Sequence, residues 1–240
     1  MSGEELKDIW VYLSTSPLLG LTLTLVAYQA GHYVYTRLGL FPLANPVLIA
    51  VILLVALLWM TGTPYPIYFD GAKFVHFLLG PATVALAIPL YIHFQAVKRS
   101  VVAILATVIV GSTTAMLSAI GVAWAMGATR ETLLSIAPKS VTMPIAMGIS
   151  EKLGGLPSLT AVLVLLTGIA GAMLATWTLN LLRIKDWRAR GLATGIAAHG
   201  IGTARALQVN EVAGAFASLG MGLNALATAI LLPLLASLFL

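Results

Sequence analysis

The chain has 240 residues, 60% of them apolar and only 9% charged, against roughly 25% charged in ordinary soluble domains. A soluble globular fold is excluded: at ~20 apolar residues per crossing of a ~30 Å hydrocarbon layer, the apolar content fills about seven spans joined by short connections. The formal charge of +5 comes from Lys and Arg scattered between apolar runs, with no basic face for nucleic acid, and the lack of cysteine removes disulfides, thiolate metal sites and cysteine nucleophiles.

Lipid offers no hydrogen-bond partners, so each apolar run is predicted to be helical, and the absence of alternating segments argues against a barrel. The expected fold class is all-α, a polytopic transmembrane helical protein. The N-terminal residues from Met1 lack the basic region and small-residue cleavage site of a secretory signal, so the first span is expected to stay in the membrane. In chain order the predicted elements are Pro17 to Thr36, Pro46 to Met60, Phe74 to Phe94, Val101 to Met126, Leu133 to Ile149, Leu156 to Leu182, Gly191 to Val209 and Val212 to Leu240.

Three of these depart from an ordinary span. Phe74 to Phe94 carries Gly80 and Pro81 at its centre and Pro89 beyond, and an interior proline removes a backbone bond and clashes with the preceding turn. Leu133 to Ile149 carries Pro138 and Pro144 around Lys139, Ser140 and Thr142, too polar for a lipid-facing helix, so it is expected to be buried in protein or to line water. Gly191 to Val209 holds Gly191, Gly195, Gly200 and Gly202 with His199, Thr203 and Arg205, and is expected to pack closely through its small residues and to expose backbone. The structural breaks are thus placed at Gly80, Pro81, Pro138, Pro144, Gly200 and Gly202.

A weak internal repeat appears at a shift of 57 residues, with eight of 37 paired positions identical. It matches the stretch from Pro81 with that from Pro138, and the stretch from Gly111 with that from Gly168. The unit is a broken element followed by a full span. Lys98 and Arg99 follow the first broken element, and Arg183, Lys185, Arg188 and Arg190 follow the span Leu156 to Leu182. If both basic loops are cytoplasmic, Val101 to Met126 runs outward and Leu156 to Leu182 runs inward, so the broken element between them enters and leaves on the same side. Two proline-broken, re-entrant elements then form inverted repeats whose tips meet near the midplane. If the broken elements cross fully instead, the repeats are parallel. The expected organisation is one transmembrane domain over 1–240: peripheral or scaffold helices in 1–64, a first repeat in 65–126, an inverted second repeat in 127–182, and a basic cytoplasmic loop, Gly-rich helix and last span in 183–240.

The eight carboxylates, Glu4, Glu5, Asp8, Asp70, Glu131, Glu151, Asp186 and Glu211, all lie near predicted span ends. Paired acid/base chemistry and a mid-membrane acidic relay lack their groups, and no nucleotide loop, zinc-protease motif or nucleophile elbow occurs. No enzyme activity is expected, and no metal site, since the histidines have poor spacing and no carboxylate companions.

Candidate substrate groups are cations and hydroxyls. Lys139 anchors a carboxylate or snorkels from a shallow loop. Arg205 grips a carboxylate with two parallel bonds or pairs structurally, for example with Glu211. His199 bonds a substrate oxygen or serves packing, with His76 and His93 as weaker candidates. Thr83, Ser140 and Thr142 face an anion among freed N–H groups or simply satisfy backbone released by proline, and Thr203 is a further substrate-binding candidate. Asn224 reaches substrate or bonds another helix.

The stretches beginning Gly80-Pro81, Ala137-Pro138-Lys139-Ser140 and Ala198-His199-Gly200, the last ending at Ala206, resemble the signature blocks of the LrgB/CidB family of bacterial membrane proteins. The resemblance covers the chain from about Tyr65 onward and is specific within these blocks. It implies one of two functions. One is an antiholin-like modulator of murein hydrolase export and autolysis, acting with a small LrgA/CidA-type membrane partner. The other is a carrier, since the plastidal glycolate/glycerate translocator is a relative and bacterial relatives are linked to pyruvate uptake. The block residues carried over are Pro81, Thr83, Pro138, Lys139, Ser140, His199, Gly200, Thr203 and Arg205.

The residues favour the carrier: a transporter of small monocarboxylates or 2-hydroxy acids by alternating access, in the bacterial cytoplasmic (inner) membrane. No cofactor is expected beyond a coupling ion, Na+ or H+. The expected partners are the acid, the lipid bilayer, an LrgA/CidA-like protein and a second copy in a homodimer, but no nucleic acid.

Overall fold

The computed structural model describes residues 17–78, 81, 84–85 and 87–239. Every regular element among them is a helix, so the all-α class holds. The chain divides into two compact units, Met1–Ala85 and Leu86–Leu240.

The first unit contains α1 (Pro17–Arg37), α2 (Pro46–Thr61) and α3 (Tyr65–Phe77). Asn45 starts α2 by accepting from the Val47 and Leu48 N–H groups at 2.9 and 3.2 Å, with Pro46 in the first turn, where its missing N–H costs nothing. The hydroxyls of Thr24 on α1 and Tyr68 on α3 lie 2.7 Å apart and tie those helices.

The second unit runs α4 (Ala87–Ile92), α5 (Phe94–Arg99), α6 (Val101–Ala125), α7 (Arg130–Ile136), α8 (Met143–Leu153), α9 (Pro157–Leu181), α10 (Trp187–Val209) and α11 (Glu211–Phe239). Among the described residues, three helices are long and apolar enough to cross a membrane: α6, α9 and the stretch Glu211–Ser237 of α11. At 1.5 Å per residue, 25 residues reach ~37 Å, beyond the ~30 Å hydrocarbon layer. Each buries a narrow stripe: on α6 it is Ile104, Val108, Ser112, Met116, Ala119 and Ala123, spaced at three and four residues. The opposite faces stay apolar and exposed, as at Val102, Trp124 and Leu181, which suits lipid rather than water.

The packing levels along α11 give the direction of every other element in this unit. Near its start, Phe216 packs with Ile104 and Val108 of α6 and Leu192 and Ile196 of α10. Midway, Asn224 bonds Ser112 of α6. Further on, Leu232 packs with Met116 of α6 and with Ala137. The helix α6 therefore runs alongside α11 in the same direction, and the basic segments 98–99 and 183–190 gather at one end of the unit.

The segment α7, turn 137–142, α8 is a hairpin. Ala137 enters at the level of Leu232, Val141 reaches Val164 and Ala225, and Ile149 and Leu153 return to the level of Leu232. Its base is pinned to α9: Ser135 Oγ accepts from the Leu156 N–H at 2.8 Å, and the Thr160 hydroxyl lies 2.8 Å from Ser150 Oγ and 3.0 Å from the Ser135 carbonyl. The chain thus enters and leaves at the end remote from the basic segments.

Helix α10 is a second hairpin. Ala198 (φ −128, ψ 16) and His199 (φ 38, ψ −132) leave helical geometry and separate arms over 187–197 and 200–209. A straight helix would hold residues 194 and 202 ~12 Å apart, yet a Cβ on Gly202 would lie 3.0 Å from Thr194 Cγ2. The first arm packs Gly191 and Gly195 against the backbone of Ala213 and Ala217, and the second brings Leu207 onto Gly214. No side chain larger than hydrogen fits at Gly191 or Gly195, where the helices meet backbone to backbone. This hairpin enters and leaves at the basic end.

An opposed pair of hairpin-and-span units therefore lies at 130–181 and 187–239. The sequence had paired 65–126 with 127–182. The first of those crosses the boundary between the two compact units and contains residues outside the described set, Gly80 and Thr83 among them. The break expected at Gly200 and Gly202 falls at Ala198 and His199 instead, because the turn is made by a histidine held at positive φ, and both glycines belong to the returning arm.

Candidate functional site

The two tips meet at Asn224. Its amide nitrogen donates to the Ser140 carbonyl at 3.0 Å and to the Ile196 carbonyl at 3.1 Å, while its oxygen accepts from the Ser112 hydroxyl at 2.5 Å. Ile196 can accept because the break two residues later removes the N–H that would otherwise bond it. Asn224, Ser112 and Ser140 are all buried. Both amide hydrogens of Asn224 are committed to the protein, so of its two expected roles, a bond to substrate or a bond to another helix, the structure shows the second, an internal tie between the hairpins.

Around that tie lie groups not so committed. Ser140 Oγ is buried without a hydrogen-bond partner, and so is Thr228 Oγ1, one helical turn beyond Asn224 on the same face of α11. Lys139, next to Ser140, is half-buried, and its ammonium has neither an ion pair nor a hydrogen bond among the described residues. Pro138 is buried in the turn, where its carbonyl accepts from the Val141 N–H at 3.2 Å. Thr142 caps α8 through its backbone with no side-chain bond, and Pro144 lies exposed in the first turn of that helix. The returning limbs, α8 and the second arm of α10, both begin at the tips, so their positive dipole ends point towards this level from opposite sides.

His199 is buried at the second tip, with Nε2 3.0 Å from the Val164 carbonyl. Only a protonated nitrogen bonds a carbonyl, so the hydrogen is assigned to Nε2. Gly168 makes room for the ring: a Cβ there would lie 2.5 Å from His199 Cε1. The Thr203 hydroxyl donates to the His199 carbonyl at 2.8 Å, so its hydrogen too serves the hairpin. Arg205 sits further down the returning arm, six residues or ~9 Å from the tip, and lines a small cavity with Trp187, Arg190 and Thr194.

Of the sequence candidates, the structure thus brings Lys139, Ser140 and Asn224 to one place, with His199 and Thr203 holding the second tip. Arg205 stands apart towards the basic end. Pro81 is helical and exposed in the first unit, and Thr83 and Gly80 fall outside the described residues. Thr228 and Ser112 were missed. A lone hydroxyl in an apolar run carries no motif, although their helical spacing from other buried positions was available as a signal.

These features define a class: a helical membrane protein whose crossing helices hold two opposed, broken hairpins tied at their tips. The chain belongs to the LrgB-like family, whose model matches residues 24–238. It is 42% identical over 217 residues to the uncharacterized protein YxaC of Bacillus subtilis, covering 90% of this chain and 94% of that one. It is 32% identical to the holin-like protein CidB of Staphylococcus epidermidis, covering 92% and 96% of the two chains. It is also 32% identical to the antiholin-like protein LrgB of Bacillus cereus, covering 91% and 95%. No solved structure matches it.

Proposed function

We propose that this protein carries small monocarboxylates or 2-hydroxy acids, of the glycolate, glycerate and pyruvate type, across the bacterial cytoplasmic membrane by alternating access. The observation that carries this reading is the juxtaposition at the tie: an ammonium without a counterion among the described residues and two buried, unpartnered hydroxyls, beside two breaks in the backbone. Buried hydroxyls without partners cost free energy unless a guest completes them. A carboxylate would meet Lys139 and the N–H groups at the start of α8, and the hydroxyls of Ser140 and Thr228 would recognise the neighbouring oxygen. Access alternates as the hairpins, based at opposite ends of the unit, open in turn.

The test is uptake of labelled glycolate, glycerate and pyruvate into vesicles holding the purified protein alone, with and without a sodium or proton gradient. Lys139→Ala and Ser140→Ala should each lower uptake at least tenfold while the protein stays folded.

A second reading is favoured by the printed names of two relatives, one holin-like and one antiholin-like. On that reading the protein modulates murein hydrolase export and autolysis together with an LrgA/CidA-type membrane partner. Folded protein that moves none of these acids, but alters vesicle leakage when that partner is added, would establish the second reading and remove the first.

A further inference from the structure

A groove of about 370 Å³ opens at the basic end of the second unit, between the start of α6 and the incoming arm of α10. That volume lies within the range of ligand sites, roughly 300–1,000 Å³. The groove exists because alanines, at positions 103, 189 and 193, line its walls where larger side chains would fill it. Its floor is Ile104, Leu192 and Phe216, which pack together and are themselves buried. Both walls run from the polar end into the unit, Ser100 to Thr107 on one and Asp186 to Ala193 on the other, a depth of ~10 Å at 1.5 Å per residue. The Thr107 hydroxyl donates to the Ala103 carbonyl at 2.7 Å, so the inner hydroxyl is already engaged. Water in the inner half would find few partners.

Charge is confined to the mouth. Lys98 and Arg99 directly precede Ser100, and Arg183 and Lys185 flank Ile184, another lining residue. All four are exposed and stand outside both ion pairs found among the described residues. The acid at the mouth, Asp186, is cancelled by Arg188, whose Nε and Nη2 donate to it at 3.1 and 2.6 Å. A cationic rim over an apolar trough is complementary to one kind of molecule, an amphiphile with an anionic head.

We infer that this groove seats an anionic phospholipid, with an acyl chain along Ile104, Leu192 and Phe216 and the headgroup phosphate among Lys98, Arg99, Arg183 and Lys185. A soluble phosphate would satisfy the rim and leave the trough uncovered, whereas a neutral lipid would fill the trough and leave the rim without a counterion. The groove shares no residue with the site around Asn224, so the inference stands whichever function the hairpins serve. One wall is the arm that leads to the second tip, and a lipid seated there braces that arm against α6.

Native mass spectrometry supplies the measurement. The full-length protein in a neutral detergent is titrated with dioleoyl phosphatidylglycerol or dioleoyl phosphatidylcholine, and bound lipid is counted. Phosphatidylglycerol should bind about tenfold more tightly, with one tight site per chain. Lys98→Gln and Lys185→Gln should each weaken it about fivefold, the worth of one cation beside an anionic head, and leave phosphatidylcholine within about twofold. Lys152→Gln, at the opposite end of the unit, should leave both lipids within about twofold. Ala193→Leu fills the trough and should weaken both lipids about fivefold. If that variant fails to fold, as judged by circular dichroism and gel filtration, the exposed lysines still decide the matter. The inference is overturned if the two lipids bind alike, if Lys152→Gln is as damaging as Lys98→Gln, or if folded Ala193→Leu binds phosphatidylglycerol as wild type does. Displacement of the lipid by glycerol 3-phosphate would make this a soluble-phosphate site and overturn it too. So would a lipid-free dimer that Ala193→Leu returns to monomer, since the groove would then belong to a second copy of the chain.

Discussion

Asn224 shows how one side chain can order several backbone segments. Each of its three bonds joins a different element, and a hydrogen bond inside a membrane protein is worth about 0.6 kcal/mol on average. Replacing it by Ala should therefore lower stability by about 2 kcal/mol, read from unfolding in detergent, and should abolish uptake by releasing both tips. A loss under 0.5 kcal/mol would contradict the tie. His199 makes a sharper case, because its positive φ costs about 1–3 kcal/mol and is held by the Val164 carbonyl and the space at Gly168. Gly168→Ala should destabilise by about 1–3 kcal/mol through overpacking, and adding His199→Ala should recover part of that, because the ring makes the nearest contacts while Ile201 Cδ1, at 2.9 Å, remains. Additive effects in that double-mutant cycle would place the ring elsewhere. Lys139 and Ser140 could be read from the sequence because proline and charge advertise them. Thr228 and Ser112 carry no motif, since a hydroxyl is tolerated in any apolar helix; what makes Thr228 notable is its lack of a partner, and Ser112 its bond to Asn224. Asn224 was visible as a polar residue in an apolar run, but its partners lie far off in the chain.

The two hairpins were unequally legible among the elements. Pro138, Pro144 and the polar residues between them disclose the first, and the charge rule shows that it turns back. The second contains no proline, and its small residues fit a straight helix as well as a folded one. What folds it back is tertiary: two arms lying against α11 at backbone distance, which no local propensity encodes. Its entry is locally encoded, however. Asp186 caps α10 by accepting from the Arg188 N–H at 2.8 Å and is paired with the Arg188 side chain. Chiefly through that side-chain bond, its carboxyl is lowered from 3.8 to about 2, while Arg188 is raised. Because folding lowers this value, the contact adds stability that is complete above pH 3.8 and is lost as the pH falls through about 2. Asp186→Ala should cost about 1 kcal/mol as a lost cap, and hydrogen exchange should quicken at residues 187–190 in that variant and in wild type at pH 2. Unchanged exchange in both would deny the cap.

For the whole molecule, the sequence was sufficient for class, since an all-α membrane protein follows from apolar length. It was insufficient for the pairing of units, because a weak repeat in so biased an alphabet aligns more than one way. The absence of cysteine makes the topology directly testable. Single cysteines at Lys98, Arg183 and Val209 should be labelled from one side of the membrane, and those at Arg130 and Gly154 from the other. Val209 labelled from the side of Arg130 would mean that α10 crosses. Because α10 turns back, Arg205 never has to be carried over the hydrocarbon barrier during biosynthesis, at ~2.5–3.5 kcal/mol for a charge passing the centre. Membrane insertion of the last fifth of the chain then reduces to threading α11 alone, with the hairpin folding onto it from the basic end.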